Sequence, residues 1–214
     1  MAHILITSGP TREFFDPIRF ITNQSSGRMG SALAAAGLKL GHRITIVSGP
    51  VDIEYPSDVD LIQIQSTSQM QDAVESRFPS CDGIIAAAAP CDFRPLVLAK
   101  DKIKKNGKGM SVKFEETTDI LKLVSRGKQK GQWSVGFALE TENGLANALK
   151  KLKEKNLDLI VLNGPSALRS QSNHVRIVGH EGVIGTSTGL KSDVAQDILA
   201  LIQRRLISPS PGSQ

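Results

Sequence analysis

Thr22-Asn23-Gln24-Ser25-Ser26-Gly27-Arg28-Met29-Gly30 runs directly into Ser31-Ala32-Leu33-Ala34-Ala35-Ala36, and the reading of this stretch decides the fold. Ser25 or Ser26 can cap a helix. Gly27 and Gly30 let the backbone come close to a ligand, and the alanine-rich run lets the helix pack tightly on a sheet. The uncommitted N–H groups and the positive end of the helix dipole would then face an anion. The spacing is that of G-x-G-x-x-G with Ser25 in place of the first glycine. A tight capped turn shares that spacing, so its meaning depends on its neighbours.

Upstream, His3-Ile4-Leu5-Ile6-Thr7 reads as a buried strand, followed by a long loop over residues 8–24. Downstream, the helix spans about 26–40 and stops at Gly41. Strand patterns over 43–48, 60–64, 83–88, 133–138 and 157–162 alternate with helical ones. The helices cover 67–78, capped by Thr67; 117–127, capped by Thr117 or Thr118; and an amphipathic 142–155. Residues 174–178 and 182–185 form a hairpin, 192–206 a last helix, and 208–214 a tail of disordered composition. The expectation is an α/β fold: a Rossmann-like, doubly wound, mostly parallel sheet with a basic flap at about 90–114 and a C-terminal hairpin, in one domain over 1–207. Ligands of such sheets bind outside the carboxyl ends of the strands. Ser8 to Arg12, Ala89 to Pro95, Phe137 to Thr141 and Asn163 all fall there, and one crevice could gather them.

Hydrophobic residues make up 40% of the chain and aromatics only 4%, which predicts an aliphatic core of the kind parallel strands build. No apolar run reaches the roughly 18 residues of a membrane span, and the N-terminus enters a strand pattern without a basic leader. Two cysteines, Cys81 and Cys91, give no disulfide framework, which points to the cytoplasm. Cys91 reads as a small buried filler beside the crevice. The histidines show no metal spacing. The net charge of +5 suits anionic ligands, while the scarcity of aromatic platforms argues against single-stranded nucleic acid.

A dinucleotide site sets its glycine loop immediately after the first strand and closes the second strand with an acid. Here about 20 residues separate Thr7 from Gly27, and the second strand ends Val47-Ser48-Gly49-Pro50. Both features weigh against an NAD(P)- or flavin-binding oxidoreductase, the alternative such a sheet would suggest. No G-x-x-x-x-G-K-[ST] is present either.

Several blocks together resemble the phosphopantothenate–cysteine ligase family, the synthetase half of the bacterial coenzyme A biosynthesis flavoprotein. They are Ile6-Thr7-Ser8-Gly9-Pro10-Thr11-Arg12-Glu13, Asp16-Pro17-Ile18-Arg19-Phe20-Ile21, Asn23 to Gly30, Val47 to Val51, Ala86 to Ala89 with Asp92-Phe93-Arg94-Pro95, Lys102-Ile103-Lys104-Lys105, Gly136 to Thr141, and Asn156 to Asn163. The likeness spans roughly residues 3–205. It implies a cytoplasmic homodimer that joins 4′-phosphopantothenate to cysteine with CTP and Mg²⁺, through an acyl-cytidylate, standing alone or excised from a chain that carries the decarboxylase. It also implies that Ser25, Ser26, Gly27 and Gly30 hold the triphosphate and that Asn23 handles the acyl-cytidylate. By the same resemblance Lys102 would be the first lysine of a flap, crowded by Lys100, Lys104, Lys105 and Lys108, that closes on the nucleotide. Gly9, Ala87, Ala88, Asp92, Phe137, Lys151, Lys155 and Asn163 would bind the nucleotide as well. Three places depart from the family: Pro90-Cys91 precedes Asp92, Gly164-Pro165 follows Asn163 where an acid is usual, and Thr118 stands where a proline often does. The missing acid leaves the choice between CTP and ATP open.

Overall fold

The computed structural model describes residues 1–105, 107, 109–140, 143–164 and 172–208. Lys108, Thr141, Glu142, Pro165 and the tail from 209 lie outside the described residues. Six strands pair in parallel: β1 (His3–Ser8), β4 (Arg43–Ser48), β5 (Asp60–Gln63), β6 (Gly83–Ala86), β9 (Trp133–Leu139) and β10 (Leu159–Asn163). The antiparallel hairpin β11 (Ser172–Gly179) and β12 (Gly182–Leu190) extends the sheet on the β10 side. The order is β12-β11-β10-β9-β6-β1-β4-β5. The chain therefore winds outward from β1 to β5, then crosses back to β6 at the other side of β1. That reversal opens a crevice between β1 and β6, beyond their carboxyl ends.

Residues of the central strands are buried whichever way they point, so the strands read as near-continuous apolar runs. Ile4, Ile6, Ile44, Ile46, Ile85 and Val135 face α1 (Arg28–Lys39) and α5 (Lys191–Ile202). Leu5, Val47 and Ile84 face α2 (Thr67–Arg77) and α3 (Ile120–Arg126). Ala138, Ile160 and Leu162 pack with Ala148 and Leu152 of α4 (Gly144–Lys155). The doubly wound sheet and its C-terminal hairpin are as expected.

Several local expectations are corrected. The loop over 8–24 holds a hairpin, β2 (Arg12–Asp16) with β3 (Arg19–Thr22). Phe14 and Phe20 meet at a tilt of 54° with 5.1 Å between ring centroids, and the Arg12 guanidinium lies 4.7 Å from the centre of the Phe20 ring. The basic segment is framed by β7 (Phe93–Pro95) and β8 (Phe114–Glu116), paired antiparallel. The cap of α2 is Ser66, not Thr67; its hydroxyl accepts from Gln69 N–H, and Gln69 answers Ser66 N–H in a capping box. The cap of α3 is Asp119, which accepts from Lys122 N–H at 3.0 Å. Thr117 instead donates to the Cys91 carbonyl at 2.6 Å.

Candidate functional site

Ser8, at the tip of β1, organises the start of α1. Its hydroxyl donates to the Gly27 carbonyl at 3.2 Å and accepts from Tyr55 Oη at 2.8 Å. Gly27 takes φ = 73° as the N-cap, a left-handed conformation that glycine adopts without strain, and no side chain caps the helix. The expected capping by Ser25 or Ser26 is thus corrected, because glycine occupies the cap position. The correction favours a ligand: the Ser25 and Ser26 hydroxyls stay available, and no side chain takes up the first-turn N–H groups. Gly30 sits so close to β1 that a Cβ there would stand 2.1 Å from Ser8 Oγ and 2.5 Å from Ser8 Cβ. This glycine seats the helix on the strand.

The cleft these elements bound has a volume of about 730 Å³. It gathers Asn23, Ser25, Ser26, Gly27, Gly30, Ala87, Ala88, Asp92, Phe137, Lys155 and Asn163, contributed by the β3–α1 loop, the ends of β6, β9 and β10, and helix α4. Three candidates do not line it. Gly9 lies behind it, accepting from Ala89 N–H at 2.9 Å and packed on Val51. Lys151 is turned to Glu140, at 2.6 Å. Glu140 has its carboxyl held below the usual range, first by the Lys151 hydrogen bond and then by Asn147, against burial. Lys102 is exposed on the strap between β7 and β8. Of Ser8 to Arg12 none reaches the lining, which takes Thr7 instead.

Asn23 is tied down by its amide. Its Nδ2 donates to the Ala89 carbonyl at 3.2 Å and the Pro90 carbonyl at 2.9 Å. Both donors are spent on joining the β3–α1 loop to the end of the β6 segment, so Oδ1 is the atom left for a ligand. Lys155 pairs with Asp119 at 2.8 Å. Asn163 accepts through Oδ1 from Asn173 at 3.0 Å. Cys91 is buried; burial pushes its thiol up, and Sγ donates to the Thr11 carbonyl at 3.5 Å. It is a neutral filler, as read from the sequence.

The strap that carries Lys102 is tethered on both sides of it. Ala99 N–H donates to the Phe15 carbonyl at 3.1 Å. Ile103 N–H donates to Asp16 Oδ2 at 3.2 Å, and Arg19 Nη1 reaches the Ile103 carbonyl at 3.1 Å. Asp16 is fully buried and also accepts from Ile18 and Arg19 N–H and from Arg19 Nη1. Burial works to raise its pKa. Three backbone donors and the Arg19 charge outweigh burial and leave it below the ordinary value.

Sequence reasoning missed Arg28, Thr117, Asp119, Asn173 and Lys191 in the lining. Arg28 lay inside the quoted motif. Lys191 comes from the far C-terminal helix and is brought here only by tertiary packing.

The sheet order and a cleft at the topological switch point, floored by a glycine-seated helix start, define a Rossmann-like, doubly wound domain with its cleft where such folds take their ligands. Over residues 1–206 the chain matches the family described as the DNA/pantothenate metabolism flavoprotein C-terminal domain, and it belongs to that family. It is 41% identical over 209 residues to the coenzyme A biosynthesis bifunctional protein CoaBC of Bacillus subtilis (strain 168), across 93% of this chain and 51% of that protein. It is 42% identical over 205 residues to a protein named cysteine/cysteine sulfinic acid decarboxylase from an unknown prokaryotic organism, across 93% and 57% of the two. The crystal structure of the C-terminal domain of a CoaBC protein superposes with a TM-score of 0.82 at 36% identity, covering 97% of this chain and 96% of that one. The chain spans about half the length of the curated relatives it matches. The resemblance read from the sequence is borne out at the level of the family. Among the described residues no helix is long and apolar enough to cross a membrane.

Proposed function

We propose that this chain is a phosphopantothenate–cysteine ligase domain that uses CTP. The observation that carries the reading is the junction of an uncapped, glycine-seated helix start with Asn23, Phe137, Lys155 and Asn163 in one cleft. Kinship with the coenzyme A biosynthesis proteins CoaBC supports this choice of substrates. In the first step a carboxylate oxygen of 4′-phosphopantothenate attacks the α-phosphorus. The bond to the β-phosphate oxygen breaks, and pyrophosphate leaves. The helix start, Ser25 and Ser26 meet the phosphate charge, and Lys102 closes on it from the strap. In the second step the cysteine amine attacks the acyl carbon, the acyl–oxygen bond to CMP breaks, and the amine gives up a proton. Asn23 Oδ1 orients that amine, since its own donors are committed to the loop. Catalysis is mainly positioning and charge neutralisation.

Mg²⁺ enters this reading as the partner of a nucleoside triphosphate. Among the described residues no three or more His, Cys, Asp or Glu side chains are grouped to hold a metal, so no step is assigned to it. A homodimer is supported by the exposed apolar side chains Ile18, Phe93, Leu96, Val97 and Phe114 on the β2–β3 turn and the strap. The decarboxylase is the expected companion activity, on the same longer chain or a separate one, and the cytoplasm the expected compartment. The deciding experiment compares pyrophosphate release from CTP and from ATP, with phosphopantothenate and with or without cysteine. CTP-dependent release without cysteine, and CMP release only with it, is the expected result. No release from either nucleotide would overturn the reading.

A further inference from the structure

Helices α1 and α5 pack side by side on one face of the sheet, and both begin at the cleft. The first residue of each is a cation, Arg28 in α1 and Lys191 in α5. Both line the cleft together with Gly27 and Gly30. This is the wrong end of a helix for a positive charge, because the dipole is already positive there. No acidic residue lies in the first turn of α1, and the first turn of α5 has Asp193. Lys191 is half-buried; burial first, and the Arg28 charge second, hold its ammonium below the ordinary lysine range. Two like charges and two helix starts are thus held at one rim. Their mutual repulsion turns into shared attraction when a multiply charged anion enters.

We infer that Arg28 and Lys191 form a two-helix clamp on phosphoryl oxygens of the ligand, with Lys191 supplied from the C-terminal end of the fold. The inference deepens the ligase reading and rests on it for the identity of the anion. The phosphoryl group comes either from the nucleoside triphosphate or from the 4′-phosphate of the acid substrate, and the clamp recognises the chemistry the two share. It also assigns the C-terminal hairpin a task, since β12 delivers Lys191 to the site.

The test uses the full chain and its Lys191→Gln and Lys191→Arg variants, titrated calorimetrically with inorganic tripolyphosphate, CTP and 4′-phosphopantothenate. Lys191→Gln should bind tripolyphosphate and CTP more weakly by on the order of tenfold to a hundredfold, the range for a charge-assisted contact. Lys191→Arg should stay within a few-fold of the parent, which a loss of packing would not allow. If only phosphopantothenate binding weakens, the clamp holds the substrate phosphate and the inference stands for that source. Unchanged affinity of Lys191→Gln for all three compounds overturns it, whatever the ligase activity of the parent. A parent that binds tripolyphosphate through Lys191 yet never releases pyrophosphate from CTP would sink the ligase reading and leave the clamp. A parent that binds none of the three overturns both.

Discussion

Gly30→Ala tests whether the seat of α1 on β1 sets the anion cradle. The new Cβ would stand 2.1 Å from Ser8 Oγ and 2.5 Å from Ser8 Cβ. The hydroxyl can swing aside. Cβ is fixed to a buried strand and cannot, so reaching ordinary contact at 3.4 Å requires the helix to move by about 1 Å. It cannot tilt freely either, because Leu33, Ala34 and Ala36 are locked in the core shared with α5. Overpacking of this kind costs about 1–3 kcal/mol, roughly 2–12 °C in Tm for a chain of this size. The shift carries Gly27, Ser26 and the first-turn N–H groups with it. A misplacement of about 1 Å can lower kcat/KM by about 100-fold, read as CTP-dependent pyrophosphate release. Gly37→Ala is the control. It lies in the same helix, away from the cleft, and its Cβ would meet only the far end of a side chain, Ile44 Cδ1 at 2.6 Å, so it should lose less stability and keep its activity. Adding Ser8→Gly to Gly30→Ala leaves Ser8 Cα at 3.4 Å, so the pair should cost less than the sum of the singles. A Gly30→Ala protein with parental Tm and rate would refute the close seat. One with lowered Tm and an unchanged rate would refute the cradle.

Three further outcomes are expected. Asp16→Asn removes the charge that holds the strap at Ile103. Since the folded carboxyl sits below its ordinary pKa, its stabilisation is full above about pH 4 and disappears as pH falls through the lower folded value. Urea unfolding should therefore show a gap between parent and variant at about pH 6 that closes as the pH falls below about 4, and a gap constant with pH would refute the clasp. Lys102→Gln should slow pyrophosphate release by on the order of a hundredfold if the strap closes on the phosphates; near-parental turnover would remove Lys102 from the site. Asn23→Asp turns a double donor toward the Ala89 and Pro90 carbonyls into an acceptor, and CMP release should fall more than pyrophosphate release. Equal loss in both steps would show that Asn23 holds only the loop.

The parallel sheet was legible because its strands are buried on both faces and carry unbroken aliphatic runs such as Ile4-Leu5-Ile6 and Ile84-Ile85. The β2–β3 hairpin was not. Its strands mix Arg12, Glu13 and Asp16 with three phenylalanines, Phe14, Phe15 and Phe20, and its register rests on the Phe14–Phe20 contact and on the Asp16 carboxylate in the turn. The caps of α2 and α3 were misplaced because Ser66-Thr67 and Thr117-Thr118-Asp119 each offer adjacent residues with capping chemistry. Tertiary demands chose among them: the Thr67 N–H donates to the buried Glu13 carboxylate at 2.7 Å, and Thr117 is used on Cys91. The loop residues of the cleft could be read off the motif. The structure turns Lys151 to Glu140 and brings Lys191 into the cleft, and nothing local could have signalled either, since both depend on what a distant element brings.

The two ion pairs of α4 shape how the cleft would accept a polyphosphate. Lys155 is held by Asp119 within the lining, at side-chain exposures of 27% and 40%. A pair so open to water contributes at most about 1 kcal/mol, so a phosphate can take Lys155 from Asp119 at small cost. Lys151 and Glu140 are different. Glu140 is only 14% exposed and also accepts from Asn147 at 2.9 Å; drawing Lys151 away would strand a shielded carboxylate. We therefore expect a phosphate to draw Lys155 first, while Lys151, paired with Glu140, braces α4 against the end of β9. Titrating CTP into Lys155→Met and Lys151→Met separates the two. The first should lose affinity with little change in Tm. The second should lose Tm before affinity, and the reverse order would show that the ion pairs seen without ligand do not govern which lysine moves.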